Sequence, residues 1–427
     1  MQVHRVAKKR ATGHSIRRSR ITTSFLLFIR YRVSLCRARI PFLALLLVIA
    51  CRLPAGIEAL AQTSSKTTDA DISLTSPLDY QVFQRRSLLK GKIEIVGQTH
   101  ISADQVEARL SGDSLRGPLP DTWKHLSFDR SSGSFHATLP AIAGGFYSLE
   151  IEAFRAHKPV AGITVLHVGV GEVFVISGQS NSTNYGEVRQ TTQTGMVVSF
   201  DGSSWQIAND PQPGVQDNSK KGSFIPSFGD ALYRKYHVPI GVASVGHGST
   251  SVRQWLPTGE PVDVMPTMTE FITRDSRNAL VSDGTLFNGM MKRIKQLGKH
   301  GFLAVLWHQG ESDANQPQGH QISAATYRKM LIEIIRQSRK RAGWKVPWFV
   351  AEATYHNPQD QGSPPIEDAQ RSLWQSGIAL EGPDTDALGS QYRQNNGKGV
   401  HFNDAGLKIH GALWADAVEQ YLNRVLH

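Results

Sequence analysis

The chain has 427 residues, a length that suits two domains better than one. Hydrophobic residues make up 40% of it and charged residues 19%, which is enough apolar material for a sizeable core and excludes a wholly disordered chain. The formal net charge is +11, and residues 1–61 account for all of it, because they hold 12 of the 47 Lys and Arg residues and one acidic residue. The rest of the chain has equal numbers of basic and acidic residues and so lacks the basic face of a nucleic-acid-binding protein.

Residues 1–61 are predicted to be a leader that directs export. Ile40–Ala50 is an apolar run too short to span a bilayer and typical of the hydrophobic region of a signal peptide. Ala59-Leu60-Ala61 has the small residues that a cleavage site needs. Cys51 resembles the lipid-attachment site of a lipoprotein, so cleavage and lipidation both stay open. The predicted location is periplasmic or extracellular, with membrane contact only through an N-terminal lipid or signal anchor.

Residues 62–168 are predicted to form a polar linker, 62–71, and an accessory domain, 72–168. Strand-like pieces in the second range alternate apolar and polar residues and are separated by Gly, Pro, Asp and Ser turns. Their spacing predicts a small antiparallel β-sandwich of the immunoglobulin-like kind. The clearest pieces are Gly91–Gly97, Ser134–Leu139 and Phe146–Ala153.

Residues 169–427 show a different pattern, in which short apolar runs alternate with helical stripes. The runs are typical of buried parallel strands, and the alternation predicts an α/β fold with helices on both faces of a parallel sheet. In such sheets, sites form beyond the carboxyl ends of the strands. The runs are Glu172–Ile176, Val238–Val245, Phe302–Trp307 and Pro347–Ala351. A stripe that includes Leu407 and Trp414 predicts a final helix with Asn403 as its N-cap.

Four segments carry residues suited to chemistry. Ser180 follows the first of these runs on a predicted strand-to-helix turn, where its hydroxyl and backbone amide would face the sheet edge. An ordinary helix cap explains that short motif about equally well. The other segments are Gly246–Trp255, Trp307–Asp313 and Gly399–Asn403, and His401 in the last of them is a candidate base for Ser180. Neither a zinc-protease motif nor a His/Asp cluster occurs, so the sequence predicts no metal and no cofactor.

These segments together resemble the SGNH/GDSL hydrolase superfamily, and more narrowly its sialate O-acetylesterase-type domain, which includes the acetylxylan esterases of carbohydrate esterase family six. The resemblance covers about residues 171–427 and preserves the family's order of motifs. It implies a three-layer α/β/α, flavodoxin-like fold and a hydrolase acting on acetyl esters of sugars. The matching motifs are Gly178–Asn181, Gly248–Trp255, His308–Glu311 and Val400–Asn403.

The resemblance also implies roles for individual residues. Ser180 would be the nucleophile and His401 the base. The Ser180 and Gly248 amides, with the Gln309 side chain, would form the oxyanion hole, and Gly246 rivals Gly248. The substrate contacts would be Asn181, Arg253 and Trp255, whereas Trp307 is interpreted as a core aromatic.

One position departs from the family pattern. Many members have an Asp three residues before the catalytic His, and here that position is Lys398. His401 therefore works in a dyad or is oriented by another acid, for which we choose Glu311 over Asp386. The missing Asp keeps a second reading open, a catalytically weakened carbohydrate-binding surface protein. A lipase or thioesterase on the same fold is a third, although the sequence has no long apolar lid.

Overall fold

The structure is a computed structural model that describes residues 71–426, so the predicted leader and nearly all of the predicted linker lie outside the described residues. The described residues all belong to one compact unit. Within the described range, no helix has both the length and the apolar character required to cross a membrane.

The first ten strands are antiparallel to most of their neighbours and divide between two sheets. One sheet has the order β1-β3-β9-β8, and the other contains the series β10-β4-β7. Alternate residues of β3, among them Ile93 and Ile95, are buried because successive side chains of a strand point to opposite faces. The strands are β1 Ile72–Ser76, β2 Val82–Gln84, β3 Lys90–Thr99, β4 Gln105–Ser111, β5 Asp113–Ser114, β6 Gly117–Pro118, β7 Lys124–His125, β8 Ser127–Phe128, β9 Ser134–Ile142 and β10 Gly144–Arg155.

Strand β11, Lys158–Gly178, is 21 residues long and belongs to both halves of the described chain. Its first part pairs antiparallel with β10. Its last part, from Glu172 onward, pairs in parallel with two strands of the second half. The predicted boundary between residues 168 and 169 falls inside this strand, and residues from both halves share one hydrophobic core. The three predicted strands of the first half are confirmed, whereas a separate β-sandwich domain stays a prediction.

The second half alternates strands and helices. It contributes a parallel run in the order β12-β14-β11-β17-β18-β19, with β13 antiparallel at the β12 edge. The strands are β12 Val197–Phe200, β13 Trp205–Ile207, β14 Ile240–Ser244, β15 Ile272–Arg274, β16 Leu280–Ser282, β17 Ala304–His308, β18 Trp348–Glu352 and β19 Leu380–Asp384. The helices are α1 Ile225–Tyr236, α2 Thr285–Leu297, α3 Glu311–Ala314, α4 Ala324–Ala342, α5 Pro364–Gln375, α6 Gln394–Gly397 and α7 Asp404–Val425.

Helices cover both faces of this parallel run. Phe174 and Ile176 of β11 share a core with buried residues of α1 and α7. Val173 and Val175, which point to the opposite face, share a second core with buried residues of α2, α4 and α5. The molecule is therefore a mixed α/β fold, and the four predicted buried strands of residues 169–427 are confirmed.

Candidate active site

Ser180 lies on a tight turn at the carboxyl end of β11. Gly178 ends the strand with φ +127°, and a Cβ atom there would lie 2.0 Å from the His308 carbonyl oxygen, so the site requires glycine. The Gln179 N–H donates to that same carbonyl at 2.8 Å. Ser180 opens the 3-10 turn Ser180–Ser182, is 4% exposed, and neither its Oγ nor its N–H is hydrogen-bonded within residues 71–426. The turn thus leaves a hydroxyl and an amide available together.

The segment after β17 lies beside this turn, because Gly178 pairs with His308 in the parallel register. Glu311 begins α3, and its Oε1 accepts hydrogen bonds from Asn181 Nδ2 at 2.8 Å and from His308 Nε2 at 3.1 Å. Burial opposes ionisation of this carboxyl, but the His308 charge and these hydrogen bonds outweigh it, so the pKa of Glu311 is lowered. Glu311 is therefore a buried carboxylate that fixes the residue next to Ser180.

A buried chain of rings continues from Glu311 into the core. His410 Nε2 accepts the indole N–H of Trp414 at 3.0 Å and lies 3.2 Å from His308 Nδ1. Burial lowers the pKa of His410 well below its usual value, so this ring is neutral. An indole nitrogen can only donate, which makes His410 Nε2 an acceptor. His308 therefore lies between the Glu311 carboxylate at Nε2 and, at Nδ1, a His410 nitrogen that already accepts the indole N–H.

His401 lies in the loop before α7, whose N-cap is Asn403 as predicted, with the Asn403 side chain accepting from the Gly406 N–H. The imidazole stacks on Tyr185 with a centroid separation of 5.0 Å. Its Nδ1 lies 2.8 Å from the side-chain amide nitrogen, Nε2, of Gln394. Burial lowers the pKa of His401 to about 4. The ring is therefore neutral, as a general base must be, at ordinary pH.

The acid predicted to orient His401 does not contact it. Glu311 binds His308 and Asn181 instead. Asp386, the weaker choice, accepts hydrogen bonds from the backbone and side chain of Thr354 and from the Tyr355 N–H. The two carboxylates are engaged elsewhere, so the prediction of a Glu311–His401 contact is corrected.

The predicted oxyanion donors other than Ser180 are occupied. The Gly248 N–H donates to Asp217 Oδ2 at 2.7 Å. The Gln309 side-chain amide is fully buried and donates to Asp313 Oδ2 at 2.7 Å and to the Thr250 carbonyl at 3.1 Å. Gly246 instead packs directly against the Ser180–Ser182 turn, since a Cβ atom there would lie 2.3 Å from the Ser182 Oγ.

Arg253 and Trp255 are core residues rather than substrate contacts. Both are 0% exposed. The Arg253 Nη1 donates to the carbonyls of Val264 and His320, and the indole N–H of Trp255 donates to the Thr250 Oγ1. The prediction that these two side chains touch the sugar is therefore corrected, because each is enclosed and its hydrogen bonds are made within the protein. Trp307, interpreted as a core aromatic, is also 0% exposed.

A family model described as a carbohydrate esterase, sialic acid-specific acetylesterase, matches residues 170–420. That is more than half of the chain, and it spans all four segments described above. The chain belongs to this family. The resemblance to sialate O-acetylesterase-type SGNH hydrolases is thereby confirmed, and the protein is a carbohydrate esterase by family.

One solved structure supports the fold with a TM-score above 0.5. The esterase is similar to a carbohydrate acetylesterase from Xanthomonas citri, at 19% identity and a TM-score of 0.51, over 82% of this chain and 76% of that one. It is also similar to a protein from Arabidopsis thaliana, at 18% identity and a TM-score of 0.42, over 59% and 98% of the two chains. A third similarity is to a family two carbohydrate esterase from Clostridium thermocellum in complex with cellohexaose, at 10% identity and a TM-score of 0.34, over 82% and 99%. No curated protein sequence matches the chain.

Several residues around the esterase site were missed by sequence reasoning. His410 had a usable signal, because it is a polar residue at helical spacing between Leu407 and Trp414 on the apolar stripe of α7. Gln394 lies only seven residues before His401, but no local pattern marks it as a partner of that ring, and Asp217 reaches the Gly248 amide from 31 residues away. Within residues 71–426, no group of three or more His, Cys, Asp or Glu side chains is placed to hold a metal ion.

Proposed function

We propose that the protein removes O-acetyl groups from sugars through an acetyl-enzyme on Ser180, with His401 as general base. His401 takes the proton from Ser180 Oγ as that oxygen attacks the acetyl carbonyl, and returns it to the departing sugar hydroxyl. Water, deprotonated in turn by His401, attacks the acetyl-serine and releases acetate. This two-step path needs a neutral imidazole, and the lowered pKa of His401 supports one.

One contact carries the proposal more than any other. Asn181, the neighbour of Ser180, donates from Nδ2 to the carbonyl of Val400, the neighbour of His401, at 3.4 Å. Segments more than 200 residues apart in sequence are thus joined at the carboxyl edge of the sheet, beside the two residues that must react together. Family membership supplies the substrate class.

The oxyanion hole is proposed to begin at the Ser180 N–H, which opens the 3-10 turn and makes no hydrogen bond within residues 71–426. Gly246 is the better second donor, because its amide is also without a partner there whereas the Gly248 N–H is held by Asp217. Loss of one such donor costs about 3 kcal/mol of transition-state stabilisation.

The test is acetate release from acetylated xylan, acetylated sialic acid and p-nitrophenyl acetate. Ser180→Ala should reduce turnover by at least about a thousandfold, because the nucleophile is removed. Ser182→Ala is the matched control on the same turn and should stay within about tenfold of the wild type, since its hydroxyl only donates to the Gln179 carbonyl. Absence of hydrolysis by the wild type would leave the carbohydrate-binding alternative, and faster cleavage of octanoyl than acetyl esters would favour the lipase alternative.

We also propose that the enzyme works after export, on the strength of the leader sequence alone. Mass spectrometry of the protein isolated from its cells should find Gln62 or a lipidated Cys51 at the N-terminus. An N-terminus upstream of residue 40 would contradict this.

A further inference from the structure

The orientation of His401 sets a chemical requirement that the family's usual aspartate does not meet here. For Nε2 to accept the Ser180 proton, the neutral ring must carry its own proton on Nδ1, and that tautomer is held by an acceptor at Nδ1. The position three residues before His401 is Lys398, an exposed cation. Another group must therefore serve as the acceptor.

Gln394 is the one side chain that hydrogen-bonds His401 within residues 71–426. Its amide nitrogen, Nε2, lies 2.8 Å from Nδ1. The two backbones are joined as well, since the Gln394 N–H donates to the His401 carbonyl at 2.8 Å and the adjacent pair Arg393 and Phe402 forms an antiparallel bridge. The side-chain contact is thus built on a short two-stranded pairing.

The surroundings hold the Gln394 side chain in place. A Cβ atom on residue 399 would lie 2.4 Å from the Gln394 Cγ. The glycine at this position therefore lets the aliphatic part of the Gln394 side chain pack directly against the backbone of residue 399. Arg393, the preceding residue, is 1% exposed and lies between the rings of Tyr355 and Phe402 at 4.0 and 4.2 Å. A side chain anchored this way loses little further freedom when it bonds the imidazole.

We propose that Gln394 is the positioning residue of His401, with its side-chain oxygen accepting the Nδ1–H so that Nε2 is free to act as base. The structure has the amide nitrogen at this position, and a half-turn about the Cγ–Cδ bond exchanges it for the oxygen, which is the rotamer that the proposal requires. This inference rests on the proposed esterase function. It replaces the carboxylate of a Ser-His-acid triad with a neutral amide, which is the role that asparagine has in Cys-His-Asn proteases.

The electrostatic surroundings of His401 agree with a neutral partner. Burial lowers the pKa of His401, Glu311 opposes that shift from a distance, and Lys221 and Arg393 add to it. A carboxylate at Nδ1 would instead stabilise the imidazolium and raise the pKa. Tyr185, the ring stacked on His401, is neutral at ordinary pH because burial and Asp217 raise its pKa.

Kinetics of three variants test the proposal. Gln394→Ala should lower kcat about 100- to 10,000-fold with KM changed less than about threefold, because the wrong tautomer is populated while binding is kept. Gln394→Glu should recover most of kcat and move the acid limb of the kcat profile upward by about 1–3 pH units, through the new carboxylate. Gln391→Ala, an exposed glutamine on the same segment, is the matched control and should keep the wild-type values.

A second measurement separates this proposal from the proposed function. Nitrogen-15 NMR of histidine-labelled full-length protein reads the His401 tautomer whether or not the protein hydrolyses esters. Wild type should show the Nδ1–H form, and Gln394→Ala should shift the population toward Nε2–H. An Nε2–H ring in the wild type, or a kcat unchanged in Gln394→Ala while Ser180→Ala is inactive, would overturn the positioning role. An inactive wild type with the expected tautomers would overturn the esterase proposal alone.

Discussion

At the scale of single residues, the proposed role of His401 as general base makes the charge of its ring the property that should limit activity at low pH. Its pKa of about 4 results first from burial, which disfavours the imidazolium. Lys221 and Arg393 push the value in the same direction, and Glu311 pushes against them. For an ordinary exposed histidine, activity would be expected to fall below about pH 6.5, the usual pKa of the imidazole. The tertiary environment moves that expectation to more acidic pH.

The predicted consequence is an esterase active in mild acid. Because only the neutral ring accepts a proton, kcat/KM should be nearly constant from pH 7 to pH 5.5 and should fall as the pH approaches about 4. Lys221→Glu should shift the acid limb of this pH profile to higher pH, because replacing a cation with an anion raises the pKa of His401. Lys220→Glu, the exposed neighbour that does not act on the ring, should move it less. A wild-type enzyme whose kcat/KM falls to half near pH 6.5 would contradict this account.

At the scale of elements, the loop that carries His401 is organised by one buried guanidinium. Arg393 donates to three backbone carbonyls, two of which also accept a longer hydrogen bond from the Leu388 N–H or from Asn181 Nδ2, and two aromatic rings lie against its guanidinium. The planar guanidinium donates several hydrogen bonds in fixed directions, which the single ammonium group of lysine cannot reproduce. The carbonyls, each at 2.8 Å, are those of Thr385, Leu388 and Val400.

Replacing this cation should therefore destabilise the fold as well as the site. Arg393→Met leaves the Leu388 carbonyl without a donor and the Thr385 and Val400 carbonyls with only their longer hydrogen bonds of 3.3 and 3.4 Å, so at about 1–3 kcal/mol for an unsatisfied group the free energy of unfolding should fall by roughly 1–3 kcal/mol. Urea denaturation measures it. Arg336→Met is the control, because Arg336 is exposed and pairs with Glu333 alone, which should be worth less than about 1 kcal/mol. Equal losses in the two variants would argue against the organising role.

At the scale of the whole molecule, the two halves are joined by β11 and by a buried ion pair beside it. Arg85 precedes β3 in the first half, and its Nε lies 2.5 Å from Glu172 Oε1 on β11, with both side chains at most 1% exposed. Gln84 donates to the other Glu172 oxygen at 2.6 Å. Arg85 also lies over the ring of Tyr236 on α1. Unfolding of either half alone would expose one of these charges without its partner.

This coupling predicts cooperative unfolding and a large cost for breaking the pair. Glu172→Gln or Arg85→Met should each lower stability by about 3–5 kcal/mol, because one buried charge is left unpaired. The double variant Arg85→Met/Glu172→Met should recover part of that loss. Circular dichroism and tryptophan fluorescence should follow one transition in the wild type. Two separated transitions would instead favour the independent β-sandwich domain.

Much of the site could be placed from sequence, because local patterns determine strand ends. The alternation of buried strands and amphipathic helices placed Ser180 and the His308–Glu311 segment at one sheet edge, and an Asn cap placed His401 before α7. The hydrogen-bond partners could not be predicted from the sequence, because a shift of about 1 Å between two loops forms or breaks a hydrogen bond.

What the sequence by itself determined is the order of elements, the family and the edge where chemistry is possible, because these follow from periodicity and short motifs. Only the tertiary structure decided that Gln394 rather than Glu311 touches His401, that Asp217 occupies the Gly248 amide, and that two predicted sugar contacts are enclosed in the core. The physical reason is that burial and hydrogen bonding are properties of packed loops, and packing brings together residues whose separation along the chain carries no local signal.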